Sequence, residues 1–210
     1  MYCRKCRCEY VGWNEKCPAC QTVLLEVKPK VTDAESNSID YATLVDSIRD
    51  NGGTLTIELV ATDVETKRGR TFPYVGRGYA WAKRMEGAHG DCIVELTTTE
   101  VGRDRKWAFP YFGYGFAWEK EMQGSVGGNA LTLRAEKVTR ESKMTFPYAG
   151  YGRAWVQSMS GKCGEKLDAT LTITEVRKRK KLGFPYFGFG FAWPNVGELT
   201  LTLSNEHRNM

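Results

Sequence analysis

The chain has 210 residues, enough for one large domain or two smaller ones. Hydrophobic residues make up 41% and charged residues 26%, as in ordinary soluble proteins, and no apolar run reaches the roughly 18 residues of a membrane-spanning helix. The formal net charge is only +5 and no secretory signal is visible, so we expect a cytoplasmic protein without a membrane partner.

Four cysteines near the N-terminus have the spacing of metal ligands. They form two C-x2-C pairs with ten residues between them: Cys3 with Cys6, and Cys17 with Cys20. Tetrahedral Zn²⁺ prefers four such thiolates. The stretch 3–20 resembles a zinc ribbon of the CxxC…CPxC type, and the resemblance implies a closed, structural Zn²⁺ site. A redox or iron–sulfur site is the alternative, and Cys8 could compete with Cys6 as a ligand.

The cysteine count also bears on the compartment. Seven cysteines are an odd number, and four of them have metal-ligand spacing. This favours a reducing compartment over a disulfide framework.

A polar linker and one amphipathic helix follow the ribbon. We place the ribbon at 1–28 and the linker and helix at 29–53. Ser38 is the expected N-cap, and Gly52–Gly53 are the expected stop. The apolar residues that fall close to one helical face are Ile39, Leu44, Val45 and Ile48. The sequence therefore predicts a helix of about a dozen residues that packs on the repeat region after it.

One aromatic, glycine-containing decamer occurs four times at spacings of 37, 37 and 38 residues. The copies are FPYVGRGYAW at 72–81, FPYFGYGFAW at 109–118, FPYAGYGRAW at 146–155 and FPYFGFGFAW at 184–193. A leucine and a valine recur before each copy, and a methionine follows each of the first three. A fixed period of this length is typical of repeat architectures. The second and fourth copies are the most aromatic, which indicates a duplicated pair and a pseudo-twofold axis.

The segments around each decamer predict β-strands. TLTIELV, ALTLRAE and ATLTITEV alternate apolar and polar residues, and the decamers are rich in β-favouring aromatics. Two strands per repeat and a further segment at 197–205 give nine strands. We expect an all-β, antiparallel up-and-down meander over 54–210, closed as a barrel or folded as two packed sheets. Its duplicated halves are 54–128 and 129–205.

The decamers hold 20 of the 25 aromatic residues. In an extended decamer the glycines share one face and several rings share the other. Glycine in a strand marks a bend or a close approach, so we expect the decamer to be chiefly a wall of the fold. Because both faces cannot be core everywhere, we also expect some rings to be exposed, to line a cavity or to lie at a subunit interface.

A basic segment of seven residues, predicted as a turn, precedes each decamer. The four segments carry 13 basic and 3 acidic residues, a net charge of +10, whereas the rest of the chain sums to −5. Alternate turns of a meander lie at one end, so these charges should converge into a polyanion-binding rim. The predicted contacts to nucleic acid are Lys67, Arg68, Arg70, Arg103, Arg105, Lys106, Arg140, Lys143, Arg177, Lys178, Arg179, Lys180 and Lys181.

No catalytic arrangement stands out. The only histidines are His89 and His207, and Cys92 and Cys163 are isolated. We therefore expect a non-enzymatic protein that binds nucleic acid or another polyanion. Two alternatives stay open at this point. One is a homo-oligomeric assembly protein that uses its aromatic faces, and the other is a β-barrel that binds a nucleotide-like ligand. The residues of that ligand or stacking site would be Arg77, Tyr79, Tyr151 and Arg153.

Overall fold

The computed structural model describes residues 40–71, 75–90, 92–108, 112–145, 149–183 and 187–204. The predicted zinc ribbon, most of the linker, Ser38 and Ile39 lie outside these ranges. Within these ranges one helix, α1 (Tyr41–Asp50), precedes eight strands. The strands are β1 (Thr54–Thr71), β2 (Val75–His89), β3 (Cys92–Ala108), β4 (Phe112–Val126), β5 (Asn129–Thr145), β6 (Ala149–Cys163), β7 (Leu167–Gly183) and β8 (Phe187–Leu203).

The strands form a closed antiparallel barrel in chain order. Each strand pairs with the next one, and β8 returns to pair with β1. The prediction of an all-β up-and-down meander is confirmed, and of the two closures considered the barrel is present. The count of nine strands is wrong, because residues 197–203 continue β8 without a reversal. Their alternating pattern marks the part of β8 that enters the barrel, as the residues after the tryptophan do in β2, β4 and β6.

We refer to β1–β2, β3–β4, β5–β6 and β7–β8 as the four hairpins. Neighbouring hairpins pair with one another over only part of their length. The pairs are Arg84–His89 with Cys92–Thr97, Glu121–Val126 with Asn129–Arg134, Ser158–Cys163 with Leu167–Thr172, and Thr54–Val60 with Val196–Thr202. We call this region the barrel half. Its core is one cluster of buried side chains from all eight strands and α1. The leucines and methionines that recur in the sequence belong to it: Leu59, Leu96, Leu133, Leu171, Met85, Met122 and Met159.

Helix α1 packs onto this core. Leu44, Val45 and Ile48 are buried in the same cluster, as the helical spacing predicted. The Tyr41 hydroxyl donates to the carbonyl oxygen of Cys163 at 3.0 Å and accepts the N–H of Lys166 at 2.7 Å. These contacts hold the start of the helix against the connection between β6 and β7.

The helix boundaries differ slightly from the prediction. Asp40, not Ser38, is the N-cap residue, and its side chain makes no capping hydrogen bond. Gly52 and Gly53 do follow the helix, with φ of 77° and 82°. Glycine adopts these left-handed conformations without the steric cost that a Cβ would add.

Each hairpin continues beyond the barrel half as a two-stranded arm. Register shifts interrupt the four hairpins at the same level, before Val64, Val101, Val138 and Val176. Beyond that level the described strands pair only within their own hairpin. We number the arms 1 to 4 in chain order, at 64–82, 101–119, 138–156 and 176–194. The odd-numbered strand of each arm is its outer strand, and the decamer strand is its inner strand.

The basic segments are strands, which corrects their assignment as turns. Arg177–Gly183 pair residue by residue with Phe187–Trp193, and the other three segments pair in the same way with their decamers. The connection within each hairpin therefore lies outside the described residues. Charge favoured a turn in the sequence, but an exposed outer strand accommodates lysine and arginine equally well.

The inner strands of the four arms pack against one another through their glycines. A Cβ at Gly78 would lie 2.3 Å from the carbonyl oxygen of Gly190, and one at Gly150 would lie 2.6 Å from Cε1 of Tyr114. No side chain fits at such distances, so glycine is required where neighbouring arms meet. The aromatic face of arm 2 lies on the glycine face of arm 3, and the same relation joins arm 1 to arm 2.

None of the described decamer rings is exposed, so exposure is wrong for them, but Phe116, Phe191 and Trp193 do line cavities between arms, as another of the expected alternatives had it. Tyr79 and Trp118 are partly buried, and the other described decamer rings are buried. Both faces of an inner strand can be core because a neighbouring arm lies on each side.

Candidate polyanion interface

The outer strands carry the predicted cationic residues into solvent. Arg177–Lys181 of β7 are exposed at five consecutive positions, so water reaches both faces of this strand. The structure places all the predicted contacts on the outer strands of the arms, at one end of the barrel, and the described side chains among them are exposed. The side chain of Arg70 lies outside the described part of the chain. The rim predicted from turns is thus formed by four alternate strands, β1, β3, β5 and β7.

In three arms, a cationic side chain lies over the tryptophan ring of the preceding arm. Arg103, Arg140 and Lys178 each pair in register with the alanine of their own decamer. Their charged groups lie 5.5 Å from the centroid of Trp81, 4.8 Å from that of Trp118 and 4.2 Å from that of Trp155, respectively. A cation within about 6 Å of a ring face gains a favourable interaction. These residues therefore join neighbouring arms.

Carboxylates reinforce two of the junctions between arms. Arg140 forms an ion pair with Asp104 at 3.2 Å, and Lys178 forms one with Glu141 at 2.9 Å. Arg153 also binds Glu141, at 2.7 Å. Burial acts to raise the pKa of Glu141, but hydrogen bonds from Lys178 and Arg153 outweigh it and the pKa is lowered. Three predicted residues are thus engaged with other arms or with Glu141 rather than free for a partner.

The junction between arm 4 and arm 1 has a different composition. At the position of Arg103, Arg140 and Lys178, arm 1 has Thr66, which pairs with Ala80 in the same register. No cation of the described residues lies over Trp193. At the position of Asp104 and Glu141, arm 4 has Arg179, paired with Phe191. This junction therefore lacks both the covering cation and the carboxylate.

A groove of about 320 Å³ occupies this junction. Its lining residues are Thr66, Arg68, Arg179, Lys180, Lys181, Phe191 and Trp193. Arg68 lies 5.9 Å from the centroid of Phe191. Within the described chain, none of the four cations has a carboxylate at ion-pair distance. We call this site the arm 4–1 groove.

The groove between arms 2 and 3 provides a comparison. It measures about 290 Å³, and its lining includes Arg105, Lys106 and Arg140 but also Asp104 and Glu141. Its positive charge is thus largely compensated, whereas that of the arm 4–1 groove is not. Sequence reasoning missed the arm 4–1 groove as a site, although the threonine at position 66 is visible when the repeats are aligned.

The four residues proposed for stacking or ligand binding do not form one exposed site. Arg77 and Tyr151 are buried, and Tyr79 is partly buried. The guanidinium of Arg153 lies 5.7 Å from the ring centroid of Tyr151, which is in the same strand, and forms an ion pair with Glu141. Their role in ligand binding stays a prediction.

Buried titratable groups lie elsewhere in the fold. Glu119 is fully buried, and its Oε1 accepts the N–H of Ala82 at 2.6 Å. Burial raises the pKa of Glu119 to about 7, against the opposing effect of backbone hydrogen bonds. Burial raises the pKa of Cys92, and burial together with Cys92 raises the pKa of Cys163 to about 11. Both thiols are therefore protonated at neutral pH.

No protein family matches the chain, and no match is found among curated proteins or solved structures. In the described ranges no three His, Cys, Asp or Glu side chains are grouped so that they could hold a metal ion. Nor does that part of the chain contain a helix with the length and apolar character needed to cross a membrane.

Proposed function

We propose that this protein is a non-enzymatic binding protein for nucleic acid or a chemically similar polyanion. The observation that carries the proposal is the charge of the outer strands. Segments with a net charge of +10 form the outer strands of four successive arms at one end of the barrel, in a chain whose other residues sum to −5. Such segregation creates the positive potential that attracts polyanions.

The arrangement of the cations supports this function. Several are exposed and have no carboxylate partner among the described side chains: Arg68, Arg103, Arg105, Lys106, Lys143, Arg177, Arg179, Lys180 and Lys181. Repulsion between them is relieved when phosphates bind and release their counterions. The strands also hold the cations on ordered backbone, which lowers the entropy cost of binding.

The test is binding to a labelled oligonucleotide as a function of salt concentration. Replacing Arg177, Arg179, Lys180 and Lys181 with Gln, which leaves the junction residue Lys178 in place, should weaken binding and reduce the slope of log K against log salt. Removal of one phosphate-binding cation lowers that slope by about one. Wild-type binding that does not respond to salt would contradict the proposal.

A matched control removes four lysines outside the basic segments: Lys83, Lys120, Lys162 and Lys166 to Gln. The net charge changes by the same amount, but these residues lie outside the outer strands of the arms. We expect this variant to lose much less affinity than the first. Equal losses would mean that total charge, rather than the rim, determines binding.

Assembly through exposed aromatic faces receives less support. The described decamer rings pack inside the arms, so they contribute little surface to an interface between subunits. The oligomeric state can be measured by light scattering.

We further propose that Cys3, Cys6, Cys17 and Cys20 bind a structural Zn²⁺ ion. The support is their spacing alone, since they lie outside the described residues. The purified protein should contain stoichiometric zinc, measured by elemental analysis. Cys17→Ser should lose most of it, whereas Cys92→Ser should retain it because Cys92 is buried in the barrel core. A zinc content that Cys17→Ser leaves unchanged would contradict the assignment.

A further inference from the structure

We propose that the arm 4–1 groove is the main recognition site of this protein, and that it binds the phosphodiester backbone of single-stranded nucleic acid. This inference rests on the proposed polyanion-binding function and locates it. Instead of a rim with four equivalent edges, one junction between arms would accept the ligand. At the other three a cation of the protein covers the tryptophan, and the groove between arms 2 and 3, although similar in volume, also carries two carboxylates.

The first argument is the missing cation. In the other three junctions, Arg103, Arg140 or Lys178 covers the tryptophan of the preceding arm. Thr66 occupies that register position at the arm 4–1 groove and is too short and uncharged to cover Trp193. Thr66 and Trp193 instead line the groove, and no cation of the described residues covers this ring.

The second argument is the missing carboxylate. Asp104 and Glu141 neutralise the cation that approaches from the following arm. Arg179 stands at the corresponding register position of arm 4 and adds to the positive charge instead. With Lys180 and Lys181 beside it, the groove holds a cluster of cations that an anionic ligand would stabilise.

The third argument concerns the kind of polyanion. A volume of about 320 Å³ is at the lower end of the range for small-ligand sites, so it suits about one nucleotide rather than a bulky partner. Rings and cations together are characteristic of single-strand sites, and here Phe191 and Trp193 lie among the basic side chains. A duplex presents its phosphates on a convex surface, so it would touch the rim of the groove without entering it.

The experiment uses the full chain and a fluorescent oligothymidine of about ten nucleotides, followed by anisotropy. It compares Lys180→Glu with Arg105→Glu. Both residues are exposed and both pair with a decamer glycine, Gly190 or Gly115, but only Lys180 lines the arm 4–1 groove. We expect Lys180→Glu to weaken binding about tenfold or more, and Arg105→Glu to weaken it about twofold.

A second variant, Thr66→Arg, tests the proposal by filling the groove rather than by removing a cation from it. It places an arginine where the other three junctions have a cation, and it adds one positive charge. General electrostatic attraction predicts tighter binding for this variant. Our proposal predicts binding weakened by about threefold or more, because the new side chain covers Trp193 and fills the groove. Thermal melting and circular dichroism verify that each variant is folded.

The outcomes separate this proposal from the one on which it rests. Equal losses in Lys180→Glu and Arg105→Glu, or tighter binding by Thr66→Arg, would overturn the groove assignment and leave polyanion binding intact. Preference for a duplex of the same length would overturn the single-strand assignment. If the wild-type protein binds neither oligonucleotide nor another polyanion such as heparin, the proposed function itself is wrong.

Discussion

Glu119 is a fully buried carboxyl group at the base of arm 2, where β4 leaves the barrel half. Its Oε1 accepts the backbone N–H of Ala82 in β2 at 2.6 Å, whereas its Oε2 is buried without a hydrogen-bond partner among the described residues. The side chain thus connects the first two hairpins at the level where the arms separate. Burial is the dominant influence and raises its pKa to about 7.

This residue should make the stability of the protein depend on pH. The folded-state pKa of about 7 exceeds the ordinary value of 4.5, so the folded protein binds more protons than the unfolded chain between those pH values. The free energy of unfolding should therefore fall as pH rises from about 4.5 to 7, by about 3 kcal/mol, and then level off. Glu119→Gln should remove most of this fall, as measured by urea denaturation at pH 5 and pH 8.

The control for that measurement is Glu100→Gln. This variant removes an exposed carboxylate that pairs with Lys120 on the surface, and the fall in stability between pH 5 and pH 8 should remain in it. If Glu119→Gln keeps the full pH dependence of the wild type, another group is responsible.

The arms are the elements that distinguish this fold from a plain barrel. An isolated two-stranded hairpin is only marginally stable in water. Each arm gains order from its neighbours through glycine–aromatic packing, cation–ring contacts and, at two junctions, ion pairs. The arms can therefore pack against one another only because the decamer has glycine at these positions. The basic outer strands are in turn held in place by that packing.

Two glycines of arm 1 allow a direct test. Gly78→Ala places a Cβ 2.3 Å from the carbonyl oxygen of Gly190, which forces backbone to move and should cost about 1–3 kcal/mol or more. Gly69→Ala is the matched control, since its Cβ would meet nothing closer than 3.9 Å. Thermal melting of the two variants should show a large loss for the first and little change for the second. Comparable melting temperatures would mean that the arms are not packed as described.

For the molecule as a whole, closure of the barrel leaves no edge strand in the barrel half. Thr200 lies between two partners, Thr56 of β1 and Thr170 of β7. A proline there removes a backbone donor from a strand that is paired on both sides.

We therefore expect Thr200→Pro to destabilise the fold by about 3 kcal/mol or more, measured by chemical denaturation. Thr200→Val should be close to neutral, because valine suits a strand and keeps the backbone N–H. A mild effect of the proline would indicate that β8 is not paired on both sides.

Local patterns were sufficient for much of this fold. Alternation of apolar and polar residues predicted the strands, helical spacing predicted the buried residues Leu44, Val45 and Ile48, and the spacing of basic segments predicted their location at one end. The errors came from features that depend on partners. Charge in residues 177–183 favoured a turn, and only pairing with Phe187–Trp193 shows that they form a strand. Residues 197–203 repeat the alternating pattern of a first strand, and only their pairing with β1 and β7 shows that they continue β8.

The sequence by itself determined the all-β class, the meander and the segregation of positive charge, because periodicity and composition are local properties. Tertiary structure alone decided that the decamer rings are buried on both faces, since that depends on a neighbouring arm on each side. It also decided which cations are available. Arg140 and Arg179 look alike in the sequence, but one is held by Asp104 and Trp118, whereas the other faces an open groove.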